Sequence, residues 1–310
     1  MLNKILYLSF CLLLLGACNN KSTNPTKGDE VELKLHFEKG DKHSLVMSIK
    51  QNIEQLMGST PNTTIQNIET GYVMEAIAKE NDIVSLKNTY DWNVFEITMM
   101  GNTTSYDSRK ENEVNPLSQA MDAMTGKSFI MKFTEDGKIN AIEGSNNIID
   151  AIVDNMSTAN EQQKAAMRQQ MEKQFGEEAM MKNMAQMFLQ YPKNPLKVGD
   201  SWEQKADIVS SFPMHAETTY ILKTIDKANN IAILEIDGTI RSKEGAQLTS
   251  SGMTMDVEFS GTQKGETTID LSNGMANLAT LSQDIKGSIT AMGQKVPMTI
   301  ISEIIIKEVN

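Results

Sequence analysis

Tyr72-Val73-Met74-Glu75-Ala76-Ile77-Ala78-Lys79-Glu80-Asn81-Asp82-Ile83-Val84-Ser85-Leu86 reads as strand, polar turn, strand, and the chain carries it twice. Tyr72, Ile77, Lys79, Asn81, Ile83 and Leu86 recur as Tyr220, Ile225, Lys227, Asn229, Ile231 and Leu234, at an offset of 148 without a gap. An apolar-x-x-Gly-Asp element stands upstream of each copy, at Phe37–Asp41 and at Leu196–Asp200. A hairpin signal stands downstream of each, ending in Asp136-Gly137 and in Asn273-Gly274. Asp-Gly and Asn-Gly pairs suit the positive φ of tight turns. Three landmarks in one order point to an internal duplication.

Around the copies the same period continues. Val31, Leu33, Leu35 and Phe37 alternate with Glu32, Lys34, His36 and Glu38, which predicts a half-buried strand. Leu45, Met47 and Ile49 resume the alternation after the Gly40-Asp41 turn. Beyond Pro195 the expected strands are roughly 202–211, 215–226, 230–242, 252–262, 264–271, 275–286 and 296–308. Several exceed the common strand length of about 5–6 residues, which suggests twisted, curved, antiparallel sheets.

Between the copies the texture changes. Asn146 to about Leu189 is rich in Gln, Glu, Lys, Ala and Met, all good helix formers. Ile148, Ile149, Ile152 and Val153 make one apolar stripe, Met167, Met171 and Phe175 a second, and Met180, Met184 with Met187 or Phe188 a third. Gly176 is expected to split this region, and Pro192 and Pro195 to end it. The expected fold class is mainly β, in the α+β sense. It has two curved antiparallel β-units, 31–145 and 191–310, with a helical insert, 146–190, packed on the sheet. Whether the units share one sheet is left open.

The first seventeen residues are set apart from the fold. Lys4 precedes an apolar run from Ile5 to Leu15 that is too short to span a bilayer. Leu15-Gly16-Ala17-Cys18 resembles a bacterial lipobox. That resemblance implies cleavage of 1–17 and a diacylglyceryl thioether on Cys18. An ordinary secretory signal with an incidental Cys18 is the alternative. Residues 18–30 are polar and read as a tether. Asn19 is similar to the residues that favour outer-membrane sorting in model Gram-negative bacteria, and no acidic run follows Cys18. The expected location is therefore the outer membrane, on its periplasmic face, with the membrane contacted through the N-terminal lipid.

Charge and composition narrow the function. The chain of 310 residues has net charge −11, and losing the one positive charge of Lys4 leaves −12. Nothing basic is available to neutralise phosphates, so nucleic acid is not an expected partner. Cys11 leaves with the leader and Cys18 is consumed by lipid, so no disulfide or thiol chemistry remains. The three histidines, His36, His43 and His215, have no His-Glu-x-x-His spacing, and there is no Gly-x-Ser-x-Gly or phosphate loop. Acidic turns lack full calcium-loop spacing. Two Trp and six Tyr leave few platforms for sugars. The chain is read as non-enzymatic and without a cofactor or metal.

Tyr191-Pro192-Lys193-Asn194-Pro195-Leu196-Lys197-Val198-Gly199-Asp200-Ser201-Trp202 resembles the signature of an uncharacterised family of Bacteroidota lipoproteins, Pro-x-x-Pro-x-x-Val-Gly-Asp-Ser-Trp. The resemblance implies an exported, anchored, β-rich protein and transfers no activity. Its signature residues here are Pro192, Pro195, Gly199, Asp200 and Trp202, and the first copy carries His43 where Trp202 would stand. Helix ends, a Gly-Asp turn and a strand start explain the motif structurally.

Methionine is abundant, at 22 residues. Three readings stay open for Met167, Met171, Met180, Met184, Met187 and Phe188. They fill the core as adaptable side chains, they line a plastic groove for a lipid, acyl chain or hydrophobic partner, or their thioethers take Cu(I). The leading expectation is an envelope lipoprotein that binds an apolar ligand or a hydrophobic partner. An assembly lipoprotein acting by protein contacts is the rival.

Overall fold

The computed structural model describes residues 30–57, 60–111, 116–155, 160–185, 188–209, 213–250 and 253–309. The leader, Cys18, most of the tether and Met187 lie outside these residues.

In chain order the elements are β1 (Glu30–Val31), β2 (Lys42–Met57), β3 (Thr60–Glu80), β4 (Ile83–Met99), β5 (Asn102–Asp107), α1 (Pro116–Met124), β6 (Ser128–Thr134) and β7 (Ile139–Glu143). Then follow α2 (Ser145–Asp154), α3 (Glu161–Phe175), α4 (Glu177–Ala185), β8 (Leu196–Lys197), β9 (Ser201–Val209), β10 (Pro213–Asp226) and β11 (Ile231–Ser242). The chain ends in β12 (Gln247–Ser250), β13 (Met253–Asp270), β14 (Ala276–Ala291) and β15 (Gln294–Val309). The protein is mainly β, with antiparallel pairing throughout.

One sheet runs through both copies. Its order is β7-β6-β4-β3-β2-β15-β14-β13-β11-β10-β9, with β5 added on β4 and β12 on β13. The copies join where β2 pairs with β15. The edge strands β7 and β9 do not pair with each other. Helix α4 packs on both and spans the gap. Gly176 separates α3 from α4, and α1 is a helix that composition did not reveal.

The duplication is visible in hydrogen bonds. Gly40 N–H donates to the Ala76 carbonyl (2.8 Å), and Ala76 N–H returns a bond to Asp41 O (2.9 Å). Gly199, Leu222 and Asp200 repeat this pair of bonds at 2.8 and 2.9 Å. His43 faces Met74 as Trp202 faces Tyr220, so both stand at the second position of their strands. The gapless alignment holds only after the central turn. Glu80 pairs with Ile83, whereas Asp226 pairs with Ile231, so the second turn is two residues longer. Before the turn the matching residues are therefore Met74 with Tyr220 and Ala76 with Leu222, and Tyr72 is not the counterpart of Tyr220.

Two strand expectations need correction. The two strands expected at 252–262 and 264–271 are one strand, β13, over Met253–Asp270. Val31–Glu38 has the expected alternation of burial, with Leu33, Leu35 and Phe37 in the core. Only Glu30 and Val31 are paired in a ladder, with Lys197 and Leu196 of β8. The rest is a strap: Leu35 N–H donates to Glu135 O (2.7 Å) in the first copy's hairpin turn, and His36 N–H to Asn273 O (2.8 Å) in the second's. The signature stretch is the matching strap, with Tyr191 N–H bonded to Asp136 O (2.8 Å) and the Tyr191 hydroxyl to Gly274 O (2.7 Å).

Apolar burial falls into two clusters. The larger holds the straps, α2 and α4 against β4, β6, β10, β11 and β13, with Leu86, Met131, Leu222, Leu234 and Ile269 fully buried. The smaller joins Met214, Ile240, Phe259, Ile285 and Ile300 toward the other end of the strands.

Candidate functional site

Between the two clusters the concave face of the sheet is hollow. A cavity of about 360 Å³ lies there, within the range of about 300–1,000 Å³ usual for small-molecule sites. Leu45, Met47 and Ile49 of β2 and Ile304 and Ile306 of β15 form one wall, and Leu35, Phe188, Tyr191 and Met275 form the floor. Among the described residues, no lining residue is charged. The wall residues of β2 and β15 face inward yet are only half-buried; Leu45 packs against the larger core cluster, and the other four belong to neither cluster.

The sheet register stacks the lining into rows, since direct partners share a face. One row runs Ile49, Ile304, Leu281, Gly265, Ile236, Tyr220 and Trp202. Two residues along each strand, a second row runs Gln66, Gln51, Ser302, Gln283, Gln263, Gly238, Thr218 and Gln204. A third row, beginning Ile53, Ile300 and Ile285, is apolar again. The inner face therefore carries a belt of neutral polar side chains across eight strands, and this belt divides the two core clusters.

The belt is hydrogen-bonded along its length. Gln51 Nε2 donates to Ser302 Oγ (3.0 Å), Gln283 Nε2 to Gln263 Oε1 (3.2 Å), and Gln263 Nε2 to Thr218 Oγ1 (2.5 Å). Gln204 Nε2 donates to the Ala185 and Phe188 carbonyls at 2.7 and 3.1 Å, which ties the end of α4 to β9. An amide has two N–H donors and two acceptor lone pairs. Gln263 uses one of each kind, so one donor and one lone pair stay open. Two rows along the strand, the buried Thr267 hydroxyl has no partner at all.

Gly265 sits between Gln263 and Thr267 on the same inner face. A Cβ there would collide with the Thr280 carbonyl oxygen of the neighbouring strand. The missing side chain lets β13 and β14 coil tightly, a usual role of glycine at a barrel bend. In the same row, Trp202 stacks on Tyr220 at 5.4 Å and meets Tyr191 edge-on at 6.5 Å. Burial pushes the Tyr220 phenol up to about 12, and burial raises Tyr191 further, so both stay neutral.

Of the helical residues expected to line a groove, Phe188 lines the cavity. Met180 is 5% exposed and packs in the same core cluster as Ile148 and Ile152. Met171 and Met184 pack against that cluster, and half-buried Met167 lies away from the cavity. Met171, Met180 and Met184 correct the groove expectation: they pack in or against the larger core, whereas the hollow is walled by strands. Pro192, Pro195, Gly199 and Asp200 shape the strap and its turn, with Asp200 Oδ2 accepting from Lys197 N (2.8 Å). Trp202 reaches the cavity floor through Tyr220. His43 bonds Glu308 at 2.6 Å and His215 bonds Asp207 at 3.0 Å, each within its own ion pair. Among the described residues no three or more His, Cys, Asp and Glu gather as a metal site, and no helix is long and apolar enough to cross a membrane.

The belt residues were missed, although they leave a trace. Leu45-Met47-Ile49-Gln51-Ile53 and Met298-Ile300-Ser302-Ile304-Ile306 each hold one polar residue in an otherwise apolar inward phase.

No match is found among curated proteins. The fold is similar in part to lipovitellin, from a structure titled for its lipid-protein interactions, with 10% identity and TM-score 0.49. That likeness covers 89% of this chain, which spans about a quarter of the lipovitellin chain (26%). An outer membrane channel from Pseudomonas putida F1 is similar at 7% identity and TM-score 0.24, over 89% of this chain and 97% of its own. Residues 81–276, well over half of the chain, match a family described as a family of unknown function (DUF6263), and the chain belongs to that family.

Proposed function

We propose that this protein is a non-enzymatic envelope lipoprotein that holds an apolar ligand, a lipid or an acyl chain, in the concave face of its sheet. The observation that carries this reading is the uncharged cavity of about 360 Å³ walled by half-buried Leu45, Met47, Ile49, Ile304 and Ile306. Inward-facing aliphatic side chains left unpacked forgo burial that a bound chain would supply. The Leu15–Cys18 pattern supports anchoring through a lipid on Cys18, Asn19 supports the outer membrane, and the lack of an acidic run after Cys18 supports its periplasmic face.

The test uses the full chain and the dye N-phenyl-1-naphthylamine. Dye fluorescence is expected to rise on binding and to be lost in Ala279→Phe, which fills the cavity from β14. Equal binding by both proteins would place the dye elsewhere and contradict the reading. Cys18→Ser is expected to release the protein from the membrane fraction.

A second reading, assembly through protein contacts, is favoured by two hairpin tips. Met100 and Met292 are 72% and 86% exposed, each precedes a glycine, and each holds a positive φ, near 51° and 50°. Exposed apolar side chains at strained positions suit a contact surface.

A further inference from the structure

We infer that the cavity selects a ligand whose apolar chain carries an uncharged carbonyl group, an acyl ester or amide, seated at the Thr267 hydroxyl in the row of Ala279, Ile306 and Met47. This rests on the lipid-binding reading above and narrows its ligand class.

Three observations carry it. First, among the described residues no lysine, arginine, histidine or acid lines the cavity. A carboxylate or phosphate drawn inside would lose its hydration and gain no counter-charge, which is costly. A free fatty acid anion or a phospholipid headgroup must therefore remain outside. Second, the site is not apolar throughout. The Thr267 hydroxyl is 2% exposed and unpartnered, and Gln263, 6% exposed, keeps one N–H and one lone pair open. A plain hydrocarbon would seal these groups away from water without a bond, and an unmade bond in a buried site is destabilising. Third, Thr267 lines the cavity in one row with Ala279, Ile306 and Met47, so the open hydroxyl and the apolar wall lie on one line across the sheet.

A carbonyl oxygen at that point accepts from the Thr267 hydroxyl. Beside it, the row of Ile49, Ile304 and Leu281 takes the chain. The hydroxyl then acts as a register mark: it fixes where along the chain the polar group rests.

The experiment displaces N-phenyl-1-naphthylamine from the full chain with three ligands of one chain length: hexadecane, methyl palmitate and, at mildly alkaline pH, palmitate. Methyl palmitate is expected to compete about tenfold better than hexadecane, the scale of one net hydrogen bond. Palmitate is expected to compete worst. Thr267→Val keeps the shape of the side chain and is expected to erase most of the ester's advantage over hexadecane. Thr267→Ser, which restores the hydroxyl, is expected to restore it. If the dye binds but ester and alkane compete equally, or if palmitate matches the ester, the inference is overturned and the lipid reading stands. If the dye does not bind the unmodified chain, both fall.

Discussion

Ile49 and Ile304 are direct cross-strand partners at the seam where the two copies meet, and both side chains face the cavity. Ile49 belongs to the first copy and Ile304 to the last strand of the second. The hollow is therefore a product of the fusion of the copies into one sheet. Neither copy holds it alone: the second supplies most of the concave face, the first supplies β2, and Leu35 and Tyr191 of the two straps close the floor.

Gly265→Ala is expected to destabilise the fold by about 2 kcal/mol or more, in the range of mutations that force backbone strain. The new methyl group would meet the Thr280 carbonyl, which is backbone and cannot step aside. Denaturant melts measure this. A loss below about 0.5 kcal/mol would mean that β13 and β14 do not approach as closely as described.

Gly274→Ala tests the strap. Gly274 has φ near 73°, and a Cβ there would meet the Lys34 carbonyl. The substitution is expected to push residues 33–37 off the second hairpin turn. The amides of Leu35 and His36, bonded to Glu135 and Asn273, should then exchange hydrogen faster than those of β10.

Acid stability should depend on Asp107. Hydrogen bonds from the Arg109 side chain, reinforced by Lys110, hold its carboxyl well below the ordinary 3.8. Protonation thus costs the folded state more than the unfolded chain. The contribution is whole above about pH 4 and fades as pH falls through the lower native value. Asp107→Asn is expected to cost about 1 kcal/mol at neutral pH and little in strong acid, where the native protein has lost the same term. Melting curves from neutral to acid pH would show the difference shrinking.

Met100→Glu and Met292→Glu are expected to leave stability within about 0.5 kcal/mol, since both side chains project from hairpin tips. Crosslinking in intact cells then separates the two readings. Loss of a specific protein crosslink in the variants, with dye binding intact, would support contact-driven assembly.

The fold was legible where one face is buried and one wet. Tyr72–Leu86 and Tyr220–Leu234 announce hairpins, and Gly176 marks a real helix end, whereas Pro192 and Pro195 fall in the strap beyond α4. Legibility failed where position depends on distant partners. Val31–Glu38 has a strand's period because its odd residues enter the core, yet its backbone bonds go to two turns over a hundred residues away. The methionine stripes on α3 and α4 read equally well as groove or filler, and packing alone decides. The belt was hidden for a different reason. Gln51, Gln263 and Gln283 are single polar residues in three strands far apart in sequence, and only the register sets them in one row.

The central claim is that the hollow at the fused face is a lipid site, and native mass spectrometry of the full chain, followed by organic extraction, tests it most directly. One neutral acyl ester or amide per chain is expected to co-purify, and to be absent from Ala279→Phe. A clean apo mass for the unmodified protein, or the same lipid retained in Ala279→Phe, would contradict the account.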